Sequence, residues 1–359
     1  MNQLTKFLTI GKAILLILVI IYVGSLVDFI FKPLKSLTGM ILIPLLLSAF
    51  FYYLLRPLVS LLEKKRLHRT PAVLLIYVVV AMLILAFWGG VWPPLKSQLM
   101  NMINNAPALF NLLDTKVREL EQSGFLAKIF PGDSGLFSHL TEYLNKGFTL
   151  LTNYVSGLFS AVSNFAIVLF TFPILLFYML KDGEQFGRLI VKIFPGRFRN
   201  RSKTILKEID AALNSYILSR VMVNVALGIL MYLGFLLIGL PYALVLTLVA
   251  VIMNFIPYFG AIISSIPIVI FGLIESPSVG LWALVIILLA QQVQDNIIQP
   301  LIFGKSLDIH PITTTVLVLG VGNLFGIVGM LIIIPVYTVF KIIAKHIYHL
   351  FLKEKWEGL

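Results

Sequence analysis

Apolar runs of about 20 residues recur along this chain, and each is long enough to cross the roughly 30 Å hydrocarbon core of a bilayer. Such runs stand at about 10–31, 37–62, 71–92, 155–180 and 220–239. Beyond Pro241 the sequence is almost continuously apolar to about residue 350, broken only by prolines, glycines and amides. In hydrocarbon every backbone N–H and C=O must find a partner within the protein, so spans of this kind are helical. Hydrophobic residues make up 59% of the 359 and charged residues 12%, a balance that a water-exposed surface does not tolerate. The expectation is an all-α integral membrane protein with about eight transmembrane segments. The first run exceeds a signal peptide in length and no small-residue cleavage site follows it, so it is read as a retained span.

The formal charge of +12 does not point to nucleic acid, because the basic residues gather beside the spans. Short loops rich in Lys and Arg stay on the cytoplasmic side. The turn at 63–70 carries Lys64, Lys65, Arg66 and Arg69, and the connection 181–219 carries Arg197, Arg199, Arg201 and Lys203. Both are expected in the cytoplasm, with the N-terminus (Lys6, Lys12) and the C-terminus (Lys341, Lys345, Lys353, Lys355). Between 93 and 150 acidic and basic residues balance. Phe110, Leu113, Val117 and Leu120, then Leu140, Leu144, Phe148, Leu151 and Val155, repeat at helical spacing. This predicts a small extracytoplasmic segment of amphipathic helices. The chain then divides into a three-span segment 1–92, the extracytoplasmic region 93–154, a fourth span with its basic connection 155–219, and a C-terminal core 220–359.

Two stretches of that core share a pattern. Pro241 to Pro267 is centred on Asn254, and Pro311 to Pro335 is centred on Asn323, with glycine following each asparagine. Twelve or thirteen helical residues reach only about 18–20 Å, too short to cross. Two re-entrant helical hairpins, 241–267 and 311–335, account for this if their Asn–Gly turns are buried in protein. Paired Gly/Pro-interrupted segments also point to a transporter's binding site. Two short full spans, 241–256 and 257–274, satisfy the loop charges equally well.

Between the hairpins lies "QQVQDNIIQPLIFGKSLDIHP" (291–311). On a helix Gln291, Asp295 and Gln299 share one face, and Gln292 and Asn296 an adjacent one. Such groups avoid lipid and face protein or water. The expected roles are solute contact for Gln291, Gln292 and Gln294, cation or proton handling for Asp295, and turn capping for Asn254 and Asn323. Asn296 belongs to the same pathway. Gly260, Gly304, Gly326 and Gly329 permit close backbone approach, and Pro257, Pro300 and Pro335 break helices. Interhelical hydrogen bonding is the structural alternative for the amides, and a solvated surface carboxylate is the alternative for Asp295.

With no cysteine in the chain, disulfides, thiolate metal sites and cysteine nucleophiles are excluded. There is no HExxH and no phosphate-cradling GxxxxGK[ST], so no enzyme, cofactor or resident metal is expected. Transport would run on ion or solute gradients rather than ATP.

The segments "NFIPYFGAIISSIP" (254–267), "QDNIIQPLIFGKSLDIHP" (294–311) and "GNLFGIVGMLIIIPVYTV" (322–339) resemble the autoinducer-2 exporter family of bacterial membrane permeases, and the likeness extends over nearly the whole chain. The resemblance implies a multispan inner-membrane transporter that forms homo-oligomers, such as pentamers, with a mobile hairpin-bearing half. It implies export of the furanone quorum-sensing signal or, alternatively, sodium(lithium)/proton antiport. Many members carry Glu-Gly where this chain has Gln294-Asp295, which weakens the antiport expectation while Asp295 keeps it open. A non-transporting membrane scaffold or sensor using 93–150 is the third expectation.

Overall fold

The computed structural model describes residues 28–102, 166–303 and 309–348, with a few isolated positions besides. The expected first span and the extracytoplasmic region 93–154 lie largely outside the described residues, and Gly304 lies wholly outside them. Every regular element among the described residues is a helix. In chain order they are α1 Asp28–Lys64, α2 Arg69–Ala86, α3 Ala166–Ile193, α4 Arg199–Leu237, α5 Ala243–Met253, α6 Phe259–Glu275, α7 Pro277–Val293, α8 Gln299–Phe303 and α9 Pro311–Tyr348. A π-helical turn, Phe87–Val91, prolongs α2 toward Met102, and a second, Gln294–Ile298, joins α7 to α8.

Five of these helical stretches are long and apolar enough to cross a bilayer: 41–64, 69–102, 196–237, 277–303 and 329–348. Their outer faces stay apolar, with Leu85 71%, Leu237 87% and Leu301 79% exposed. Side chains of that kind facing outward suit hydrocarbon, not water. This is a multi-pass, all-α membrane protein.

Two packing centres hold it together. The first joins α1, α2 and α3 through Tyr52, Val59, Val73, Ile76 and Leu180. The second joins α4 to α7 through Leu227, Phe235, Leu246, Ile268, Phe271 and Ala283. Helix α4 ties one to the other, because Arg56 Nη1 of α1 donates to both oxygens of Asp210 at 2.7 Å. At the end of the first bundle, Arg69 donates to the Leu180 carbonyl at 2.8 Å and to Glu184 at 2.9 Å. That hydrogen bond holds the Glu184 carboxyl below the usual carboxylate range. A lowered carboxyl stabilises above its unfolded pKa and ceases to do so as pH falls, so this clasp loosens on acidification.

Local sequence explains the boundaries. Helix α4 ends where Gly239 takes φ +67°, and Leu240 N–H then reaches back to the Phe235 carbonyl at 3.0 Å, a Schellman ending that needs glycine at that place. Helix α7 begins at Ser276, whose hydroxyl accepts from Val279 N–H at 3.2 Å, with Pro277 in the first turn. Between α6 and α7 the backbones nearly touch. A Cβ on Gly272 would stand 2.8 Å from the Gly280 Cα, and one on Gly280 would stand 2.5 Å from Leu273. Small residues let membrane helices approach in this way. Gly272→Val is therefore expected to destabilise by about 1–3 kcal/mol, read as a lower melting temperature of the purified protein in detergent.

Candidate functional site

The first of the two Asn-centred stretches folds as α5, a turn at 254–258, and α6, with α5 and α6 packed together. At 11 residues, α5 spans only about 16 Å. Helix α6 does not stop at Pro267 but continues through it to Glu275. A proline inside a helix is tolerated in such surroundings because neighbours re-satisfy the freed carbonyl.

The turn itself is tight and strained. Phe259 N–H bonds to the Pro257 carbonyl two residues back at 2.8 Å, which puts Tyr258 at φ 64°, ψ −46°. A γ-turn with positive φ is rare for a residue bearing a side chain. Gly260 packs directly beneath it; a Cβ there would lie 1.9 Å from the Met253 carbonyl oxygen. Since the Tyr258 side chain is 55% exposed, its conformation is fixed by the backbone around it. Tyr258→Gly is expected to raise the melting temperature, and Tyr258→Val to lower it, each by the equivalent of about 1 kcal/mol.

The turn is strained around a buried asparagine. Asn254, 5% exposed, donates through Nδ2 to Asn224 Oδ1 of α4 and to Gln294 Oε1 of the second π turn, both at 2.9 Å. Asn224 and Gln294 are 1% and 3% exposed. Three amides from three separate elements thus form one sealed node. From α4, one helical turn before Asn224, Arg220 Nη2 donates to the Asn254 backbone carbonyl. Arg220 Nε is buried without a hydrogen-bond partner. Around the node, Asn224 Nδ2 reaches the Val251 carbonyl at 3.5 Å, and Ser219 bonds to the Ile302 carbonyl at 3.4 Å.

Gln294 follows Ala283, Ile287 and Ala290 on the buried face of α7 at spacings of four, three and four, while Asp295 and Asn296 beside it stay exposed. Asp295 Oδ1 accepts from Gln299 at 2.6 Å and from Gln294 at 3.4 Å. Exposed Gln292 and Asn296 bond to each other at 2.7 Å. Gln291 is half-buried on α7 and Pro300 is exposed on α8.

The second Asn-centred stretch, α9, is two helices, 311–323 and 329–348, joined across a break at Gly326, where φ is 65° and ψ −155°. A Cβ on Gly322 would fall 2.1 Å from the Met330 terminal methyl carbon. In a straight helix those positions are about 12 Å apart, so the chain folds back there. Asn323 and Gly326 are exposed and Gly329 is half-buried. Helix α9 does not end at Pro335 but runs on to Tyr348.

Of the residues singled out in the sequence, the structure therefore brings Asn254, Gln294, Pro257 and Gly260 to one place, with Asp295 at its edge. It does not bring Asn323 or the Gln292–Asn296 pair into the buried node. Arg220 and Asn224 were missed. Their signal was an Arg and an Asn at i, i+4 inside "SYILSRVMVNVALGIL" (215–230), where Arg220 reads at first as the last residue of the basic connection.

A bundle of apolar-faced helices that seals three amides, with a half-buried arginine beside them, around a strained inter-helix turn has the make-up of a solute-handling membrane protein. The sequence matches the model of the AI-2E family transporters over residues 13–349, and the chain belongs to that family. It is 35% identical over 332 residues to "Putative transport protein YueF" of Bacillus subtilis, covering 91% of this chain and 90% of that one. It is 27% identical to "AI-2 transport protein TqsA" of Escherichia coli, covering 84% and 85%.

Proposed function

We propose that this transporter is a secondary carrier that moves a small polar solute by alternating access around the Asn224–Asn254–Gln294 node. The autoinducer-2 signal is its first candidate cargo. The observation that carries this reading is the buried Asn254, held in a strained turn between two helices and bonded to both neighbouring elements. Amides buried at such cost bind one another in the resting state and can exchange those bonds for a solute's. The hairpin formed by α5 and α6 would enter the bilayer without crossing it, and the stretch before Gly326 would enter from the opposite side and lead into the span 329–348, both in the C-terminal core 220–359. The lysine- and arginine-rich ends at 64–69 and 197–207 would face the cytoplasm, with both chain termini, in the bacterial inner membrane. The apolar outer faces suit a homo-oligomer as well as lipid.

The test is flux in proteoliposomes containing the full chain, with the furanone signal set against sodium and lithium under an imposed pH gradient. Saturable furanone flux supports the reading. Absence of any solute or cation flux overturns it and favours a scaffold or sensor. Asp295 sustains a second reading, sodium(lithium)/proton antiport, because its carboxylate is held beside the node by Gln294 and Gln299. On that reading Asp295→Asn abolishes pH-dependent sodium or lithium exchange; unchanged exchange removes it.

A further inference from the structure

We infer that Arg220 makes the node a binding site for a compact oxyanion, of the carboxylate or phosphate kind. This inference rests on the carrier reading above and turns its cargo from the furanone signal to an anion. An arginine among apolar helices is costly unless its charge is answered. Among the described residues no carboxylate lies within 4 Å of Arg220. The groups that act on it electrostatically are Tyr216, Asp295 and Tyr258. Asp295 Oδ1 accepts from Gln299 at 2.6 Å and from Gln294 at 3.4 Å, and the carboxylate makes no ion pair with Arg220.

The hydrogen-bond inventory sets the sign of the missing partner. Asn254 spends its amide N–H groups on Asn224 and Gln294, and the Gln294 amide turns to Asp295. Of the guanidinium, Nη2 is bound to the Asn254 carbonyl, whereas Nε–H is sealed from solvent and unbonded. The unmet capacity is thus a donor and a positive charge, and a ligand must bring an accepting oxygen and a negative one. A guanidinium fork meets carboxylate and phosphate oxygens with two parallel bonds. Because the same guanidinium holds the Asn254 carbonyl, an anion on Arg220 pulls directly on the strained turn, so occupancy and turn geometry are linked.

The experiment is a melting-temperature titration of the purified full chain in detergent, with chloride replaced by acetate, inorganic phosphate or sulfate at constant ionic strength. At least one of the three is expected to stabilise saturably. Arg220→Gln should weaken that response at least tenfold, Arg220→Lys should weaken it less, and Asp295→Asn should tighten it by removing a nearby negative charge. Should Arg220→Gln fail to fold, the Lys and Asp295→Asn variants carry the same test. No saturable response in the natural chain overturns the inference. So does an equal response in every variant, which would mark an adventitious ion only. Flux separates the two readings. Solute flux that is unchanged in Arg220→Lys and independent of these anions leaves the carrier standing and removes the anion site. Saturable anion binding without any flux does the reverse.

Discussion

Gly260→Ala is expected to abolish the folded, monodisperse protein or leave it without flux, although the change adds a single methyl group. The added Cβ would stand 1.9 Å from the Met253 carbonyl oxygen, 2.5 Å from its carbonyl carbon and 2.8 Å from the Asn254 Cα. All three are backbone atoms, so no side chain can rotate away, and relief requires moving the turn itself. The cost is on the order of 3 kcal/mol or more. Gly187→Ala is the matched control, because nothing lies within 4 Å of its added Cβ. Size-exclusion profile and melting temperature of the two variants side by side decide the matter. Equal behaviour would mean that the turn is not packed on α6 in this way.

Asn254→Ala carries the second large effect. It leaves Asn224 Oδ1 and Gln294 Oε1 buried and stripped of their donor, at about 1–3 kcal/mol for each orphaned acceptor. A second variant separates structure from function. Combining Asn254→Leu with Gln294→Leu removes donor and acceptor together, so part of the stability lost in Asn254→Ala should return. Flux should not return, because the groups that meet the solute are gone. If flux returned with stability, the node would be interhelical glue and nothing more.

The sequence was most readable where chemistry is local. Hydropathy found the spans near 37–62, 71–92 and 220–239, and the Asn254 and Asn323 centres marked the places where α5 turns into α6 and where α9 folds back near Gly326. The pairing of Gln299 with Asp295, and of Asn296 with Gln292, follows directly from helical spacing. What escaped was long-range. Gln294 continues the buried stripe of Ala283, Ile287 and Ala290 at helical spacing, yet only the fold shows that Asn254 meets it there. Pro335 was expected to break a helix, yet it sits inside one, and α6 runs through Pro267 as the alternative span 257–274 required, since packed neighbours outweigh one missing N–H. Arg220 was hidden by company: it follows a run of basic loop residues, and only the tertiary fold shows that it belongs to the amides across from it.

The bare backbone contact between Gly272 and Gly280 bears on how such a machine could work. With no side chain on either glycine to slide or re-pick rotamers, α6 and α7 are held at that contact as a single beam. The two helices run antiparallel from their joint at Ser276, so the beam carries Tyr258's turn and Gln294's π turn together at the end away from that joint. Any working stroke must therefore be taken up elsewhere, along the seam with α4. Spin labels bridging α6 and α7 should keep a fixed separation through the cycle, while labels from α4 to either of them should report the movement.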